Sequence, residues 1–165
     1  MDIDEVTAWH EAGHAFAAVC LGATVESISI SPDRDDGPLR SGDTVVRWEH
    51  RRVSERQLME REVMVILAGP VAEMIHRNES FHPATVAEWA MDWQQAWEKA
   101  SFEKSSPKRL AMLEQTTLQL YRVFRQDQNW AIIGAIVDHL LAYEQMEGET
   151  VHEICESVEG LLRNG

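Results

Sequence analysis

His10, Glu11 and His14, three side chains within five consecutive residues, have the types and spacing for metal-assisted hydrolysis. On a helix, residues four apart share a face, so His10 and His14 can aim two imidazole nitrogens at one point. Two imidazoles and a carboxylate in tetrahedral array suit zinc, with the fourth place left for water. Zinc lowers the pKa of such a water to about 7, and Glu11, beside that point, can take its proton. The plain alternative is an amphipathic helix whose histidines are hydrogen-bonded at the margin of the core.

Two imidazoles do not complete a catalytic zinc site, so a third protein ligand is expected. The extended HExxH-x-x-G-x-x-H pattern does not apply, because Ala17 and Cys20 occupy its later positions. The third ligand must then come from another element, and Glu73, Asp92, His76 and His82 are the candidates. Spacing alone does not choose between Glu73 and Asp92. Asp92 lies between Trp89 and Trp93, on the side shared by Ala96, and a carboxylate at the margin of so apolar a stripe is costly without compensation. His76 and His82 border a break and read as solvent-facing. His50, His139 and His152 have no partner pattern.

The elements that must position these groups follow from caps and periodicity. Asp2-Ile3-Asp4-Glu5 fits a capping box and predicts a helix from near residue 3. Its buried stripe runs Ile3, Val6, His10, Gly13, Ala17 and Cys20, and Gly22 is its stop. Ala12, Gly13, Ala15, Ala17 and Ala18 are small enough to let another element pack closely. Val25–Ile30 and Thr44–Trp48 read as strands separated by the breakers Pro32, Gly37, Pro38 and Gly42. An exposed edge there could take an extended peptide by strand addition.

Ser54-Glu55-Arg56-Gln57 opens a second helix through about Arg77, with Gly69-Pro70 expected to bend it or loosen a turn. A third runs from Ala84 to about Phe102, with Trp89, Trp93 and Trp97 as a stripe for core packing. Ser106-Pro107 starts a fourth, in the order cap then proline, lined by Leu110, Leu113, Thr117, Tyr121 and Phe124. A fifth spans about Gln128–Gln145 and buries Ile132, Ile133, Ile136, Val137, Leu140 and Leu141. Thr150-Val151-His152-Glu153 caps the last, with Val151, Ile154, Val158 and Leu161 facing inward. The expected fold is mainly α, a single domain over residues 1–165, with a small β-hairpin or short sheet after the first helix.

Composition narrows the partners. A formal charge of −13 argues against nucleic acid and against an anionic membrane surface. No run approaches the roughly 18 apolar residues of a membrane span. With the motif starting at residue 10, no signal peptide is expected before it, and with only Cys20 and Cys155 no disulfide framework is expected. A cytoplasmic setting is the expectation.

The segment Ala8-Trp9-His10-Glu11-Ala12-Gly13-His14-Ala15 is similar to the HEAGHA segment of the FtsH-type AAA+ zinc metalloprotease family. The Val25–Ile30 strand, then Gly37-Pro38-Leu39 and Gly42-Asp43-Thr44, resemble the strand and loop that come after HEAGHA in that protease domain. Leu67-Ala68-Gly69-Pro70-Val71-Ala72-Glu73 resembles its LGGRxAE helix, with Pro70 where that family usually has Arg. Asp92-Trp93-Gln94-Gln95-Ala96 resembles its Asp-x-x-x-Ala segment, whose Asp is the third zinc ligand. Leu140-Leu141 and Gly148–Ile154 resemble its two closing helices. The stretch from Glu73 to Asp92 is longer than in that family and lacks its glycine-rich lead-in, which keeps Glu73 as the alternative ligand.

The resemblance implies a zincin-like metallopeptidase with zinc on His10, His14 and Asp92 and Glu11 as general base. It implies unfolded or flexible polypeptide substrates and a homo-oligomer. No GxxxxGK[ST] phosphate loop occurs in these 165 residues, so either flexible chains are cut unaided or a separate ATPase partner supplies them. The rival reading is a catalytically inactive, zinc-stabilised interaction module derived from such a protease. A deformylase-like hydrolase fits less well, since it would want a Cys ligand before the motif and none precedes His10.

Overall fold

The computed structural model describes residues 2–31, 42–49, 53–79, 82–86 and 89–162. The loop expected between the first two strands lies mostly outside the described residues. The chain is mainly helical, as expected. Helices α1 (Ile3–Cys20), α2 (Glu55–His76), α3 (Ala90–Lys99), α4 (Ser106–Phe124), α5 (Asp127–Tyr143) and α6 (Gly148–Ile154) accompany a small sheet, which packs against α1, α5 and α6. The sheet is antiparallel, in the order β2 (Asp43–Arg47), β1 (Thr24–Ser29), β3 (Gln145–Glu147).

Helix α1 is buried along most of its length and packs on both α2 and α5. Its small residues allow this. A Cβ on Gly13 would lie 2.6 Å from the Ala68 carbonyl oxygen and 2.7 Å from the Ala72 Cβ, so glycine sets how closely α1 and α2 approach. Asp2 caps the helix by accepting the Asp4 N–H at 3.0 Å. At the other end, the Val19 and Cys20 carbonyls accept N–H groups of Gly160 and Leu162, so the C-terminal segment pairs groups that a helix end leaves open. Ile3, expected on the buried stripe, is 74% exposed, because the first turn projects beyond the core.

In α2 the capping box forms in full: the Ser54 hydroxyl accepts the Gln57 N–H and the Gln57 side chain accepts the Ser54 N–H. The helix then continues through Pro70.

Strand β1 shows why its sequence only half alternates. Val25 and Ile28 both point inward although they are three apart, an odd spacing that a regular strand would place on opposite faces. A bulge between Val25 and Ser27 restores the phase. Strand β2 alternates cleanly, with Thr44 and Val46 inward, and lies at the sheet edge.

Four expectations need correction. The third helix starts at Ala90, not Ala84; Pro83–Thr85 is a 3-10 turn and a second such turn follows at Ala100–Phe102. Helix α5 stops at Tyr143, where Glu144 adopts φ 63°, and the next residues form β3, which hydrophobic periodicity did not reveal. The cap of α4 is Ser105, one residue earlier than expected, and it accepts the Lys108 N–H. Thr150 lies inside α6 rather than capping it, and because α6 ends at Ile154 the helical phase is lost: Leu161 is 51% exposed while Leu162 is buried. Leu110 and Leu141, expected inside, are likewise partly exposed.

Candidate metal centre

One face of α1, the first helix, carries the whole HExxH segment to the floor of a cleft of about 800 Å³. The walls are α2, α3 and the edge strand β2, which contributes Asp43, Thr44 and Val46. The two rings meet edge to face, with centroids 4.7 Å apart. One ligand atom each from His10, His14 and Asp92 lies within 4.8 Å of the others.

The outer nitrogen of each ring is held, which decides where the inner one points. His10 Nδ1 is hydrogen-bonded to Glu73 Oε1 at 2.7 Å, and its Nε2 lies 3.1 Å from Asp92 Oδ2. His14 Nδ1 donates to the Val65 carbonyl oxygen at 2.6 Å. Pinning Nδ1 in this way leaves Nε2 as the nitrogen each ring could offer a metal. Pro70 has no N–H for the Ile66 carbonyl, so α2 lacks one rung beside the carbonyl that His14 uses. Gly69 backs both rings: a Cβ there would lie 2.5 Å from His14 Nε2 and 2.7 Å from His10 Nε2.

Glu73 thus sits on the far nitrogen of His10, while Asp92 sits on the near one. Glu73 is buried and fully engaged: its Oε2 accepts the Trp89 indole N–H at 2.7 Å, with the Arg77 guanidinium at 3.6 Å. A carboxylate on the outer nitrogen of a metal-binding histidine is the usual orienting partner. Two nitrogens and one carboxylate oxygen converging from α1 and α3 fit a divalent metal of the zinc type.

The His10 pKa reflects this setting. Burial favours loss of its proton. Hydrogen bonds to Asp92 and Glu73, with the charges of Asp92 and Glu11, outweigh burial and hold the pKa well above the usual histidine value.

Glu11 is buried in the same cleft, and its Oε2 accepts the Thr44 hydroxyl at 2.6 Å. That bond ties the carboxylate to the edge strand. Gly42 lies against Glu11 as well, since a Cβ there would come within 2.8 Å of its Cγ.

The other candidates lie elsewhere. His76 is not solvent-facing as expected: it is half-buried, stacks on Trp9 with centroids 5.0 Å apart, and reaches Glu5 at 3.4 Å. His82 caps the 3-10 turn at Pro83 and meets the Trp93 ring edge to face. His152 Nε2 accepts the Val25 N–H, a structural bond beside the bulge. His139 rests against Tyr143. His50 lies outside the described residues.

Four contributors went unnoticed in the sequence: Val65, Gly69, Thr44 and the indole of Trp89. A buried indole N–H demands an acceptor, and this was a signal available in the tryptophan stripe. Gly69 offered a signal of close approach, read there as a kink.

Against protein families, residues 5–75 match Peptidase M50B-like. The match supports a metallopeptidase. It covers α1, the first two strands and nearly all of α2, so it takes in His10, Glu11, His14 and Glu73. It ends before Asp92, covers less than half of the chain, and is not specific to the FtsH-type proteases. A search of curated proteins finds no match.

Proposed function

We propose that this chain is a zinc-dependent metallopeptidase that hydrolyses peptide bonds in flexible or unfolded polypeptides. The observation that carries the reading is the convergence of His10, His14 and Asp92 on one point of a cleft that also holds Glu11. The family match adds the peptidase class.

Three side chains hold the metal: His10 and His14 through Nε2, and Asp92 through its carboxylate. The metal, when bound, supplies Lewis acidity toward a water and the scissile carbonyl. Glu11 is the general base; with Oε2 held by Thr44, its Oε1 is the oxygen that takes the water proton and passes it to the leaving amine. Glu73 and the Val65 carbonyl keep the two rings in register. Strand β2 offers an edge along the cleft, against which an extended substrate can add as a further strand.

The finer reading we propose is kinship with the FtsH-type proteases, supported by the order HExxH, then Glu73 on the second long helix, then Asp92 on the third. Among the described residues no helix is long and apolar enough to cross a membrane. A cytoplasmic enzyme, fed unfolded chains by its own oligomer or by an ATPase partner, is the setting we propose.

The test is casein cleavage by the zinc-loaded protein beside Glu11→Gln, with metal content measured in both. Cleavage should fall by at least about 10²-fold in the variant while zinc stays at the wild-type level. Equal silence in both, with zinc present, would favour the inactive zinc-stabilised module instead.

A further inference from the structure

We infer that Trp89 is a positioning residue of the metal site, acting through Glu73 on the His10 ring and through the start of α3 on Asp92. The inference rests on the metal-site reading above.

Trp89 is fully buried, and its indole N–H is a donor with no acceptor capacity. It spends that donor on Glu73 Oε2 at 2.7 Å. The other oxygen of the same carboxylate meets His10 Nδ1 at 2.7 Å. Held at one oxygen alone, a glutamate carboxylate can still turn, because its terminal torsion is broad and roughly two-fold. A second directional bond at the other oxygen removes that freedom. The plane of Glu73, and with it the direction of His10 Nε2, is therefore fixed from Trp89. Arg77, at 3.6 Å from Oε2, lies beyond good hydrogen-bond distance and adds charge more than direction.

The same residue sets the third ligand. Trp89 is the N-cap of α3, and Asp92 lies in the first turn. The Trp89 side chain makes no cap bond to the backbone there, and Ala96 is the one buried residue of the helix. The buried indole, bonded to Glu73 on α2, anchors the beginning of α3 against that helix. One side chain thus links the carboxylate ligand on α3 to the first imidazole on α1. If Trp89 were only core filling, phenylalanine would replace it with little effect on metal binding.

The experiment measures zinc affinity by competition with a chelating dye, in wild type, Trp89→Phe, Glu73→Gln and the double variant, beside melting of each chelator-treated protein. Trp89→Phe should weaken zinc binding by about 10–100-fold. In the Glu73→Gln background the same change should cost clearly less, because the route through Glu73 to His10 is already cut and only the one through α3 to Asp92 remains. Wild-type affinity in Trp89→Phe, or an equal loss in both backgrounds, would overturn the inference while leaving the metal site standing. A wild type that takes up no zinc would overturn both.

Should Trp89→Phe fail to fold, the assigned indole N–H resonance of the otherwise native protein decides. It should shift on zinc addition and again in Glu73→Gln; a resonance indifferent to both contradicts the inference.

Discussion

His10 and His14 stand on a helix buried along most of its length, whereas Asp92 stands on α3, in which Ala96 is the one buried residue. The imidazole side is positioned by exclusion. Gly13 brings α1 onto Ala68 and Ala72, and Gly69 leaves just enough room for the two rings. Close-packed groups of this kind have few alternative arrangements. The carboxylate side is positioned by direction: the Trp89 indole on Glu73, and the Lys99 ammonium on Glu62 at 2.7 Å, tie α3 to α2. The imidazole pair is thus built into the core, whereas Asp92, the proposed third ligand, stands on a helix held by its tryptophan packing and by these polar ties.

Crowding the imidazole side should have the largest effect. Gly69→Ala puts a Cβ where the ligand nitrogens lie, so the variant should fold and yet lose stoichiometric zinc, which metal analysis after gel filtration would read directly. Full zinc content would show that the rings have slack, and the contrast with α3 would collapse.

Next comes the choice of carboxylate. Asp92→Ala should weaken zinc binding more than Glu73→Ala, for which the loss of an orienting partner predicts about 10–100-fold. Competition titration of both variants decides it, and the reverse order would transfer the ligand role to Glu73.

A smaller effect probes the contact between the two sides. In chelator-treated protein the folded pKa of His10 is raised above its ordinary value of 6.5. Its contribution to stability is then complete below about pH 6.5 and is lost as pH rises through the raised value. Melting temperature should fall over that interval, and less steeply in Asp92→Asn, which removes one source of the shift. A fall equally steep in Asp92→Asn would mean that α3 does not govern the proton on His10.

Much of this was legible in the chain because the signals are local. The HExxH spacing, the Ser54 capping box and the small residues around Gly13 each specify geometry within a few residues. Asp92 was legible as a charge out of place on an apolar stripe. The features that could not be read depend on contacts distant in sequence. Strand β3 is three residues long and exists because β1 offers it an edge. The tie between Glu73 and Trp89 spans sixteen residues, including a break. The choice of Asp92 over Glu73 for the near nitrogen of His10 needs the crossing of α2 and α3, which periodicity does not specify. Leu141 and Leu161 were misplaced because an apolar residue at helical spacing need not find a partner once the helix lies at the surface or ends.

The most direct test of the central claim is anomalous diffraction at the zinc absorption edge from crystals grown with zinc. A single strong peak bound by His10 Nε2, His14 Nε2 and the Asp92 carboxylate, with Glu73 still on His10 Nδ1, is the predicted result. A peak bound by Glu73, or no peak in this cleft, would contradict it.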